Sequence, residues 1–78
     1  MQKQAWLRFD PMETAEVEIY DWAAYKVASL PKDAVNAALG VAVWDGKNGD
    51  GKVVAPGVYF IIVKGPQSRL AGKLTLMH

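Results

Sequence analysis

Between Glu16 and Tyr20 the chain reads Glu-Val-Glu-Ile-Tyr, apolar and polar side chains in strict alternation. A period of two gathers the apolar side chains of a segment onto one face only when the backbone is extended. The same period returns in Trp6-Leu7-Arg8-Phe9, in Tyr25-Lys26-Val27-Ala28-Ser29-Leu30 and from Leu70 to Met77, and Val41-Ala42-Val43-Trp44 has strand character as well. Turn-forming residues separate these runs: Asp10-Pro11, Asp21-Trp22-Ala23-Ala24, Pro31 and Gly65-Pro66-Gln67-Ser68. Val17 and Ile19 then face a core, while Glu16 and Glu18 belong to a solvated face, and the runs on either side of Asp21 make a hairpin. Val58 to Lys64 is apolar on both faces, which predicts a central strand covered on both sides. Lys32 to Gly40 alone has helical flavour, with Asp33 as cap, Val35 and Leu39 stacked at i and i+4, and Gly40 as terminator. The expected fold is all-β: a small antiparallel β-sandwich of roughly six to seven strands, with at most one short helical turn near residues 33–39.

Composition narrows what such a sandwich can do. With 78 residues, 51% of them hydrophobic and none a cysteine, the core must hold through packing alone. A chain of this size forms one domain, residues 1–78, and buries only about 60–65% of its unfolded surface. Nine Lys/Arg oppose eight Asp/Glu, scattered singly for a net charge of +1. No basic block is present to neutralise a row of phosphates, so nucleic acid is not an expected partner. The longest apolar run, Val58 to Val63, falls far short of the ~20 residues of a membrane helix, so no membrane insertion is expected. Met1 to Trp6 lacks the apolar core of a signal peptide, which places any export signal elsewhere on a longer parent chain.

The stretch Asp45-Gly46-Lys47-Asn48-Gly49-Asp50-Gly51 invites a reading as a ligand loop. A phosphate cradle would open a helix, whereas Val53-Val54-Ala55-Pro56 follows here and two aspartates would repel the anion. Calcium fits better, through Asp45, Asn48 and Asp50. Counted from Asp45, however, the third, fifth and twelfth positions of an EF-hand loop fall on Lys47, Gly49 and Pro56, none of which ligates as that loop requires. A long hairpin loop, in which Gly and Asx residues serve the backbone, is the leading reading, with a weak calcium site as the alternative. Catalysis is not expected. The sole histidine is His78 at the terminus, Ser29 and Ser68 lack a base, and the carboxylates sit in turns (Asp10, Asp21, Asp45, Asp50) or on the solvated Glu16/Glu18 face. Of the tryptophans, Trp44 reads as core; Trp22, in a turn, is the candidate glycan contact, with Trp6 as a second.

The block Trp44-Asp45-Gly46-Lys47-Asn48, then Gly51, then Val54-Ala55-Pro56-Gly57-Val58-Tyr59-Phe60 resembles the signature of one β-sandwich family. That family is the immunoglobulin-like domain of the flagellar hook-capping protein, with relatives at the C-termini of secreted bacterial proteins. An upstream hairpin from Val17 to Val27 and a final strand around Gly72-Lys73-Leu74-Thr75-Leu76 follow the same order, so the resemblance runs from Trp6 to Met77. Trp44, Asp45, Gly46, Gly51, Gly57, Val58 and Tyr59 are its structural signature. Two departures stand out. Ala24 occupies the family's turn glycine, where a left-handed backbone would cost about 1 kcal/mol, so another turn type is expected there. The alanine-bearing Lys32–Gly40 segment also differs.

The resemblance implies a non-catalytic accessory, sorting or attachment domain of an exported bacterial protein, extracellular or on the cell surface. It would act through protein–protein contacts with secretion or cell-envelope machinery or with its own parent chain, and without a cofactor. The final strand is the candidate partner edge, through Leu70, Lys73, Leu74 and Leu76, since unpaired strands recruit partners. Deleting residues 70–78 is expected to abolish folding or recruitment. The alternatives are a carbohydrate-binding module using Trp22 and a self-assembling subunit joined through edge strands.

Overall fold

The computed structural model describes residues 4–77; His78, the sole histidine of the sequence reading, lies outside the described residues. The chain runs through β1 (Ala5–Arg8), β2 (Glu16–Tyr20), β3 (Lys26–Ser29), a 3-10 turn (Lys32–Ala34), β4 (Val35–Asn36), β5 (Val41–Trp44), β6 (Gly57–Lys64) and β7 (Arg69–Leu76). Two antiparallel sheets result: a 3-stranded sheet in the order β1-β5-β4 and a 4-stranded sheet in the order β3-β2-β6-β7. The small all-β sandwich that the alternation predicts is the observed architecture.

Register follows the apolar pattern. Val17 pairs with Val63 and Ile19 with Ile61, so both pairs drop into the space between the sheets, and Tyr59 and Leu76 join them on the same face. From the other sheet come Leu7, Ala42 and Trp44. A one-residue slip would turn every one of these outward, which is why the buried face fixes the pairing. Trp44 is the largest side chain in this core, 1% exposed, with its ring edge-on to Tyr59 at 5.2 Å between centroids.

Three expectations are corrected. The helical segment shrinks to the 3-10 turn at Lys32–Ala34, capped by the backbone of Pro31 with Asp33 inside the turn. Val35 and Asn36 instead pair with Ala42 and Val41, and Leu39 is exposed, so the i, i+4 stack does not form. Pairing with β5 supplies more hydrogen bonds and burial than an isolated turn of helix can. Second, β6 is central but covered on one side only: Val58 is 44% and Phe60 38% exposed on the outer face.

Third, the β2–β3 hairpin keeps the left-handed turn despite its alanine, with Ala24 at φ 69°. Asp21 holds it there: its Oδ1 accepts from the amides of Ala23 and Tyr25 at 2.9 Å each, while its carbonyl accepts from Ala24 N–H at 3.0 Å. A side-chain clamp of this kind can outweigh the Cβ clash of a single left-handed residue. Removing the clash should therefore help the fold. Ala24→Gly is expected to raise stability by up to about 1 kcal/mol, read as a higher denaturation midpoint at unchanged slope. A lower midpoint would show that the turn carries no strain.

Candidate functional site at the open seam of the sandwich

An antiparallel sandwich must end somewhere on each side, and edge strands carry unpaired backbone groups where it does. In one sheet β1 is an edge, and in the other β7. These two edges lie on the same side of the sandwich, and the cleft between them is walled by Leu7 and Phe9 from β1 and its exit, and by Leu70 and Leu74 from β7. Its floor is Ile61 and Val63 of β6, the side chains that close the core. Arg8, Asp10 and Lys73 stand at the rim, with Trp6 at the mouth.

One residue leaves the β7 wall of the cleft open. Side chains at positions 70, 72, 74 and 76 of β7 point inward, by their pairing with Val63, Ile61, Tyr59 and Gly57. Leu76 is buried and Leu70 and Leu74 pack half-buried against the core, but position 72 is glycine. A Cβ built on Gly72 meets no heavy atom within 4 Å. The strand thus has a notch opposite Ile61, flanked by two leucines. Of the four edge residues named from sequence, only Lys73 presents its side chain to solvent; the three leucines serve the core. What this edge offers a partner is therefore backbone and an apolar notch, and deleting residues 70–78 would remove core along with edge.

The glycine-rich loop, expected to join the two arms of a hairpin, instead carries the chain from β5 in one sheet to β6 in the other, and its polar side chains bond its own backbone. Asp45 Oδ1 accepts from Lys47 N–H at 3.1 Å, and Asn48 Oδ1 accepts from the amides of Asp50 and Lys52 at 2.9 and 3.0 Å. Gly46 and Gly51 take left-handed φ of 75° and 79°, and Gly49 N–H donates to the Val27 carbonyl, tying the loop to β3. The Trp44 indole N–H donates to the Lys47 carbonyl at 3.0 Å, so this tryptophan anchors the loop as well as the core. The Tyr59 hydroxyl donates to the Ala55 carbonyl; burial, with a smaller contribution from Asp21, pushes its phenol pKa up. Gly57 opens β6, and Val58 faces outward beside Tyr59. Trp22, on the hairpin turn, is 82% exposed, and Trp6 is 69% exposed.

The outer face of the four-stranded sheet holds a charge cluster that the sequence did not reveal. Glu18, read as merely solvated, takes Lys64 Nζ and Lys26 Nζ at 2.9 Å each and the Tyr20 hydroxyl at 3.0 Å. Hydrogen bonds from Lys64 first and Lys26 second hold its carboxyl pKa down at about 2, against an ordinary 4.5. Tyr20 and Lys26 belong to the same hairpin as Glu18, but Lys64 is distant in sequence, and the register of β2 against β6 brings it in. No family model, curated protein or solved structure matches this chain.

A carboxylate whose folded pKa is depressed stabilises the fold above its unfolded pKa and loses that stabilisation as pH falls through the folded one. Here the window runs from 4.5 down to about 2. Glu18→Gln is expected to cost on the order of 1 kcal/mol at neutral pH, and the gap to wild type should close across that window in acid unfolding titrations. A gap independent of pH would contradict the assignment.

Proposed function

We propose that this domain is a non-catalytic contact module that takes an extended segment of a protein partner as an added strand along β7. The observation that carries this reading is the Gly72 notch over Ile61, set between Leu70 and Leu74 in a free edge strand. Strand addition draws affinity from backbone hydrogen bonds and specificity from pockets that accept alternate side chains. The seam offers both, and an incoming strand with an apolar side chain at the notch would cover Ile61 and Val63. Lys73, which faces outward on β7, favours acidic residues at the outward positions of that strand. The resemblance of the Trp44–Phe60 block to hook-capping immunoglobulin-like domains supports a sorting or attachment role on an exported bacterial protein, outside the cell or on its surface. A second reading, glycan binding, is favoured by Trp6, exposed at the mouth of the seam.

The notch provides the test. In Gly72→Leu the new side chain fills open space at a strand position that has no left-handed φ, so the fold should hold and its stability stay level or rise by up to about 1 kcal/mol. Peptides selected on the wild-type domain from a displayed random library are expected to alternate apolar residues and to lose at least about tenfold in affinity for Gly72→Leu. Selected peptides that bind both proteins equally would refute the strand-addition reading. A Trp6 fluorescence shift on titration with soluble polysaccharide, abolished in Trp6→Ala, would favour the glycan reading instead.

A further inference from the structure

A one-sided sheet normally presents polar side chains to water. The outer face of the four-stranded sheet does otherwise. Its central strand shows Val58, Phe60 and Ile62 in a column, the first two 44% and 38% exposed. The register gives each member of that column its flanking residues. Val58 lies beside Thr75, Phe60 between Tyr20 and Lys73, Ile62 between Glu18 and Ala71, and Lys64 between Glu16 and Arg69. The face is thus apolar along its middle, with Glu16 and Glu18 on the β2 flank, Glu18 already paired with Lys26 of β3 and with Lys64, and with the cations Lys73 and Arg69 on the β7 flank. No other element of the described chain covers it.

We propose that this face is covered by a second copy of the chain, related by a twofold axis that runs along β6. Such an axis keeps each row level and exchanges its two flanks. Phe60 and Ile62 then meet their own counterparts, and β2 of one copy lies over β7 of the other. Glu16 faces Arg69 of the second copy, and Tyr20 faces its Lys73, an ammonium over a phenol ring. Each contact occurs twice, as an isologous interface requires. The one like-charge meeting on the axis, Lys64 with Lys64, occurs at the end of the column, and each lysine already holds Glu18 as its counter-ion at 2.9 Å. A twofold axis across the strands would instead lay β7 on β7 and bring Lys73 and Arg69 of the two copies together. Charge therefore selects the first arrangement, in which the sheets stack with strands aligned, within the tilt that sheet twist imposes.

This interface meets the seam only at Ala71 and Lys73, since β7 otherwise contributes its outward side chains to one and its backbone edge and inward notch to the other. Sedimentation velocity over a wide concentration range, with thermal unfolding as a check of fold, tests it. Wild type is expected to show a reversible monomer–dimer equilibrium, and Phe60→Lys only monomer. Glu16→Arg should weaken the dimer at least about tenfold, and the double exchange Glu16→Arg/Arg69→Glu should restore it. Gly72→Leu should leave the dimer unchanged, and Phe60→Lys should leave peptide capture at the seam unchanged. A monomer at every concentration would overturn the proposal and leave the apolar column to a different protein. A dimer insensitive to Phe60→Lys, or not restored by the double exchange, would overturn it equally.

Discussion

The packing of Trp44 against Tyr59 is the contact on which the other features depend. Trp44 comes from the central strand of the three-stranded sheet and Tyr59 from a central strand of the other, so their edge-on rings bridge the two layers at 5.2 Å. Burial of an aromatic side chain of this size is worth several kcal/mol, a large fraction of what a domain of this length can muster. Both rings also organise backbone at their polar ends. The Trp44 indole holds the Lys47 carbonyl and with it the glycine-rich loop, and the Tyr59 hydroxyl holds Ala55 at the entry to β6. The glycine-rich loop is, in the folded chain, an outer support of the core.

With the centre fixed in this way, the periphery is left incomplete. The seven strands of the described residues, divided three and four, do not close on themselves, and the two sheets part along β1 and β7. Edge strands are commonly blunted by charge, proline or a bulge. β7 pairs with β6 in unbroken register over its length, with Arg69 and Lys73 as its only charges. Its one interruption is Gly72, which removes a side chain from the core side where bulk would be expected. That placement makes the edge receptive rather than protected, and it does so without loosening the leucines on either side.

The strands were legible in the sequence because alternation and burial share a cause. Val17 and Ile19 can be predicted as core from their neighbours alone. Lys32–Gly40 was not legible: a short apolar spacing of three or four residues suits a helical turn, and only pairing of Val35 with Ala42 decides otherwise. Ala24 misled in the opposite direction, since the cost of its left-handed backbone was clear but the Asp21 clamp that offsets it was not. The outer column of β6 was misread because an apolar run does not say whether anything lies over it. Seam and charge cluster were beyond reach for a common reason. Both arise where strands distant in sequence lie side by side, and periodicity carries no strand order.

Amide hydrogen exchange along β7, on the free domain and again with a captured alternating peptide, tests the central claim most directly. An unpaired edge adjoining an open notch predicts that every second amide from Leu70 to Leu76 exchanges far faster than those of β6 in the free domain. The same amides should become protected when the peptide binds. Uniform protection of β7 in the free domain, or a peptide that binds and leaves those amides exchanging freely, would contradict the account.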